Sequence, residues 1–116
     1  MKTVALTIDG TDYKLATTLR VAYVLQGMNN HKPYLEIFQN VDKMPLEGQV
    51  NVLYAAYTVA CEGAPMTKEA FLNLCLDNLD LGDIMNNIKS IIEGITGKNL
   101  ADVQNETVSG DSNEKN

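Results

Sequence analysis

The dipeptide Asp9-Gly10, inside the stretch TVALTIDGTDYKLATT of residues 3–18, constrains this chain more than any other feature. Asp-Gly is a favoured central pair for a two-residue type I′ turn, because glycine accepts positive φ without steric cost and aspartate tolerates it. With these two residues as the turn, Ile8 stands opposite Thr11, Leu6 opposite Tyr13 and Val4 opposite Leu15. Strand side chains alternate with period two, so all six share one face. Ala5, Thr7, Asp12 and Lys14 occupy the other. Both strands agree on the apolar side, and that agreement pins the register. A lone two-stranded hairpin is marginal in water, so its apolar face needs a layer to cover it.

The rest of the sequence supplies only helices for that layer. Val21, Val24, Leu25 and Met28 recur at helical spacing, which predicts a first helix from a Thr17 or Thr18 cap to about Asn29. Leu19 and Tyr23 fall roughly opposite that stripe, a second apolar spot on the same helix. NNHKP interrupts the pattern, and Pro33 suits the first turn of a second helix with Tyr34, Ile37, Phe38 and Val41 on its face. A third helix starts near Pro45, with Leu46, Val50, Leu53, Tyr57 and Cys61 along one side, and stops at Gly63 and Pro65.

Thr67 is the expected N-cap of a fourth helix, with Glu69 in its first turn complementing the helix dipole. Its apolar residues, Phe71, Leu72, Leu74, Cys75, Leu76 and Leu79, cover more of the wheel than one core-facing stripe requires. This helix is therefore either central or offers a second face to a partner. The clearest stripe follows in LGDIMNNIKSIIEGITGKN, where Leu81, Ile84, Met85, Ile88, Ile91, Ile92 and Ile95 fall together. Gly97 is the natural residue to end it. Beyond residue 98 the periodicity fades, and 99–116 reads as a polar, disordered tail. The expected fold class is α+β: one domain over 1–98, an N-terminal hairpin packed on a bundle of four to five helices.

Charge and cysteine usage exclude several classes. The net charge is −6, and residues 100–116 supply half of it, with four acids against one base. Neither part of the chain offers the basic surface that nucleic acid requires. No apolar run approaches the 18 or so residues of a membrane span. The opening MKTVALTIDG reaches Asp9 too early for a secretory apolar segment, so a cytoplasmic location is expected. Cys61 and Cys75 both lie in helical segments and read as reduced core residues.

Motifs with catalytic or metal-binding precedent fail on inspection. GITGKN at 94–99 resembles a phosphate loop only superficially. Gly94 and Gly97 are too close, Asn99 replaces the hydroxyl residue that would hold magnesium, and the stretch ends a helix instead of starting one. Asp77, Asp80 and Asp83 around Gly82 suggest a calcium loop, but the alignment puts Leu79 and Leu81 at ligand positions. They read better as caps of a helix–helix turn. His31 is the only histidine and has no ligand-spaced partner. Asn105-Glu106-Thr107 forms a glycosylation sequon that has no use without secretion. No catalytic residue, metal ligand or cofactor is assigned. What survives is interaction chemistry: Leu19 and Tyr23 on the first helix, and Leu72 and Leu76 on the fourth, exceed what a two-layer core needs and are the expected partner-binding residues.

The order of elements carries a resemblance. The hairpin Leu6 to Leu15, then LYAA at Leu53 to Ala56, then PMTKE at Pro65 to Glu69 and an Ile-rich last helix resembles the small tail assembly chaperones of long-tailed phages and prophages of Gram-positive bacteria. The likeness spans roughly residues 3–96. The chain departs from the pattern in VAYVLQGMNNHKP, which is apolar and then Asn-rich where relatives often carry a Glu–Lys run. The resemblance implies a non-enzymatic chaperone of the host cytoplasm that coats the tape measure protein and recruits tail tube subunits. It also implies a second, longer product made by ribosomal frameshifting. Two alternatives stay open: a head–tail or tail adaptor that remains in the virion, and a small regulatory or ligand-binding domain. Self-association is open too, through surplus apolar surface or through the hairpin's edge strands.

On this reading the hairpin is a lid on a helical core. Leu6→Asp places a carboxylate where the lid meets that core and is expected to unfold the domain. A thermal melt unchanged from the parent would refute the lid.

Overall fold

A computed structural model describes residues 1–106, so Val108 and most of the segment read as a tail lie outside the described residues. Strands β1 (Thr3–Ile8) and β2 (Thr11–Ala16) pair antiparallel with Val4 opposite Leu15, Leu6 opposite Tyr13 and Ile8 opposite Thr11. Asp9 and Gly10 both have positive φ, 50° and 81°, as a type I′ turn demands. Leu6, Ile8 and Leu15 are buried, while Thr3, Ala5, Thr7, Asp12 and Lys14 are exposed. The two-faced strand pattern thus gave both the register and the buried side.

The helices are α1 (Leu19–Met28), α2 (Tyr34–Gln39), α3 (Leu46–Ala60), α4 (Lys68–Asn78), α5 (Leu81–Thr96) and α6 (Leu100–Gln104), with a 3-10 turn at Val41–Lys43. The fold class is α+β, a hairpin packed on helices. α3 is the element the others share. It touches β2, α1, α4, α5 and the 3-10 turn. Its buried residues include Val50, Val52, Leu53, Ala55, Ala56, Tyr57 and Ala60, spread around the helix instead of along one side. The expected single stripe is therefore too narrow, and Leu46, placed on it, is exposed. The three alanines explain the difference. They add little to an apolar stripe, yet their small side chains let neighbours approach α3 closely.

α4 is the peripheral member of the pair. It buries Phe71 and Cys75 and half-buries Leu72, Leu74 and Leu79, while Leu76 is exposed. Of the two readings left open by its broad apolar arc, the central one fails, since only Phe71 and Cys75 are fully buried. Thr67 caps it, its hydroxyl accepting a hydrogen bond from Ala70 N at 3.1 Å. Asp80 and Asp83 cap α5 reciprocally, each carboxylate accepting the other residue's N–H, at 2.8 and 3.1 Å. Gly97 closes α5 in the left-handed conformation, φ 75°, its N–H donating to Glu93 O. The helix-cap readings of Asp80, Asp83 and GITGKN thus hold, while Asp77 lies within the last turn of α4 and caps neither helix.

The expected tail begins too early. Leu100–Gln104 is a helix whose Leu100 and Val103 are buried. Asn99 caps it, and Gln39 of α2 donates its side-chain amide to the carbonyls of Val103 and Glu106 at 3.1 and 2.6 Å. Gln104 reaches Asp42 from the same helix. A five-residue helix has no periodicity to read; side-chain hydrogen bonds from distant residues hold it against α2.

One glycine sets how closely the layers meet. A Cβ on Gly94 of α5 would lie 2.3 Å from Thr17 Cβ and 2.7 Å from its hydroxyl. Thr17 is buried where β2 runs into α1, and its N–H donates to Lys2 O at 2.9 Å. Gly94→Ala must push α5 off this junction and is expected to cost about 1–3 kcal/mol in urea unfolding. Gly27→Ala, with nothing within 4 Å of the added carbon, is expected to gain about 0.5–1 kcal/mol from helix propensity. Equal effects from the two substitutions would contradict the close approach.

Candidate partner-binding surfaces

Leu19 and Tyr23 lie one turn apart on α1, and its core-facing side is completed without them by Val21, Ala22 and Leu25. Leu19 is 74% exposed and Tyr23 70%. The guanidinium of Arg20 lies 5.6 Å from the centre of the Tyr23 ring, a cation held over its face. Asn30 and His31 adopt left-handed conformations, φ 57° and 62°, which turn the chain sharply after α1. His31 N donates to Gln26 O at 2.7 Å, and Tyr34 N donates to the Gln26 side chain at 2.8 Å. This tight corner brings α2 back beside α1. Leu19 and Tyr34 then border one groove of about 240 Å³ with Ile95, Thr96, Lys98 and Glu106. Lys98 pairs with Glu106 at its rim, and the hydrogen bond raises the Lys98 pKa.

The pair on α4 is set differently. Leu76 is exposed, but Leu72 is half-buried and borders a separate depression with Glu47, Lys68 and Glu69. Of the four side chains only Leu19 lines the groove and only Leu72 the depression, and the two hollows share no lining residue. Helical spacing places Tyr34 and Leu81 on core faces, whereas Tyr34 is 45% and Leu81 68% exposed. Each is the first residue of its helix, where a stripe drawn along the whole helix overshoots the elements that cover it. Element ends are the signal that would have separated them.

A third concavity, about 360 Å³, lies between hairpin and α3, lined by Asp12, Tyr13, Lys14, Tyr57, Ala60, Cys61 and Glu62. Its wall belongs to an aromatic cluster. Tyr57 stacks on Phe71 with centroids 5.0 Å apart, and Tyr13 meets Tyr57 edge-on at 6.1 Å. The Tyr54 hydroxyl donates to Met66 O at 2.9 Å, and Met66 N donates to the Tyr57 hydroxyl at 3.0 Å. Two tyrosines one turn apart on α3 thus clamp both main-chain groups of one residue in the loop to α4. Burial raises the Tyr57 pKa above its ordinary value. Among the described residues no group of three or more His, Cys, Asp or Glu is placed to hold a metal ion, and no helix is long and apolar enough to cross a membrane.

Comparison of the chain with family models, with curated proteins and with solved structures finds no match.

Both cysteines are free thiols, Cys61 half-buried and Cys75 buried in α4. Burial pushes the Cys75 thiol from the ordinary 9.0 up to about 11. The unfolded chain ionises this thiol first, so its contribution to stability is present below pH 9 and is lost as pH rises towards 11. Urea unfolding of the parent is expected to lose about 1–3 kcal/mol across that window beyond what Cys75→Ala loses. Parallel pH profiles for the two proteins would contradict the buried, neutral thiol.

Proposed function

We propose that this chain is a non-enzymatic chaperone of phage tail assembly, working in the host cytoplasm, which binds the tape measure protein and helps recruit tail tube subunits. The observation that carries the reading is the outer side of α1. Leu19 and Tyr23 are large, apolar and open to solvent although the core beside them is closed. Adjacent exposed apolar residues beside a groove suit an amphipathic helix, which lays its own apolar stripe into such a surface. Long helical segments with exposed stripes are what a tape measure chain would present before assembly.

The resemblance on which the proposal draws is consistent with the observed elements. Leu6 to Leu15 forms the hairpin, Leu53 to Ala56 lies in the middle of α3, and Pro65 to Glu69 leads through the Thr67 cap into α4. The depression that Leu72 borders shares no lining residue with the groove at Leu19, so it suits a second partner such as a tail tube subunit.

Co-expression with the tape measure protein encoded beside this chain tests the proposal. A soluble complex holding several copies per tape measure chain, by size exclusion with light scattering, is the expected result. Leu19→Ser with Tyr23→Ser should reduce recovery of that complex roughly tenfold or more, with the melting temperature of the free chaperone unchanged. A tape measure protein that still aggregates, with this chain eluting alone, would overturn the proposal. Recovery of the chain in purified particles would support the virion adaptor instead.

A further inference from the structure

The hairpin has a second unused feature, independent of the α1 surface. In a two-residue hairpin the residues flanking the turn exchange main-chain hydrogen bonds, and bonded pairs then alternate along the ladder. Here the bonded pairs are Ile8 with Thr11, Leu6 with Tyr13 and Val4 with Leu15. The bond from Thr17 N to Lys2 O, 2.9 Å, continues the same phase one step further. The main-chain groups of Thr3, Ala5 and Thr7 therefore point away from β2. Among the described residues none of these groups has a main-chain partner. All three residues are exposed.

Exposed strand edges are normally guarded by charge, proline or a bulge. The outward residues of β2 include Asp12 and Lys14, one charge of each sign. The outward residues of β1 are threonine, alanine and threonine, and its ladder runs one-to-one without a bulge. This edge is short, neutral and unguarded. On the opposite face of β1, Leu6 and Ile8 are buried but Val4 is only half-buried.

We propose that β1 pairs antiparallel with β1 of a second copy about a two-fold axis at Ala5, joining two hairpins into one four-stranded sheet. The edge is self-complementary in this register. Ala5 meets Ala5, and Thr3 meets Thr7, so every outward donor faces an acceptor and no like charges come together. Threonines directly opposite one another are a favourable cross-strand pair. Val4 of one copy falls opposite Leu6 of the other, which covers the apolar side chain that the single chain leaves half-open. An arbitrary strand would satisfy the main-chain groups as well, and the chain's own β1 in addition matches its side chains on both faces.

Sedimentation across a dilution series tests the pairing. The parent is expected to dimerise reversibly, since one strand edge buries less than a standard stable interface. Ala5→Lys sets two like charges on the axis, and Ala5→Pro removes one outward donor while leaving the bonds to β2 intact. Each is expected to weaken dimerisation at least tenfold. Ala5→Lys alters an exposed side chain only, so it decides the matter if the proline variant fails to fold. In a Cys61→Ser background, Ala5→Cys should give a disulfide-linked dimer on oxidation, since paired antiparallel residues have Cα atoms about 5.5 Å apart. A parent that stays monomeric throughout, or a dimer that both Ala5 variants leave intact, would overturn the proposal.

Discussion

From Gly48 to Ala60 no residue of α3 is exposed, and the hairpin, three helices and the 3-10 turn all meet on it. A helix with no exposed residue over this span has little polar face for water, so its buried polar groups need partners inside. Four of its polar side chains have them. Gln49 donates to Val41 O at 3.0 Å, Thr58 donates to Ala55 O, and Tyr54 and Tyr57 take the two main-chain groups of Met66. The last arrangement does more than satisfy hydroxyls. It fixes the loop at Met66, so that Thr67 can cap α4 and Phe71 can reach the Tyr57 ring. Tyr13 contacts that ring from the hairpin. One side chain, Tyr57, therefore couples the lid, the central helix and the peripheral helix. Aromatic contacts of this kind contribute about 0.5–1.5 kcal/mol each beyond their buried area.

The parts of this fold legible in the sequence are those whose information is local. Asp9-Gly10 with alternating flanks specifies turn, register and buried face within one short stretch. The caps at Thr67, Asp80 and Gly97 are equally local, each needing only neighbours three or four residues away. The illegible parts depend on contacts between distant segments. Ala55, Ala56 and Ala60 carry a weak apolar signal although they make α3 the centre. Gly94 looks like any mid-helix glycine until Thr17 is placed against it. Leu100 and Val103 look like strays in a polar stretch because Gln39, far away in the chain, supplies the hydrogen bonds that hold α6.

The candidate surfaces divide along the same line. Leu19 and Tyr23 could be found because α1 has a complete stripe without them, and a residue off a complete stripe has nowhere inside to go. Leu72 could not be separated from Leu76 in this way. α4 carries too many apolar residues for its stripe to be drawn, and only packing against α3 decides which of them turn inward. Tyr34 and Leu81 show the converse error, since helical spacing says nothing about where along a helix its cover ends.

These observations give the hairpin a property that a further long helix in its place would lack. A helix covering this side of α3 would have its main-chain hydrogen bonds satisfied internally. A two-stranded sheet covers the core with one face and keeps unpaired main-chain groups along its edges. The buried Leu6, Ile8 and Leu15 tie that sheet to the core, so its edge is held on a rigid base instead of a free arm. Placing a main-chain ladder there and exposed apolar side chains on α1 separates two kinds of contact by chemistry. Contacts at the edge would be governed by register and hydrogen bonding. Contacts at α1 would be governed by apolar burial, which tolerates many sequences of similar pattern. A chain that had to engage its own copies in one fixed geometry, and varied helices in many, would be served by that separation.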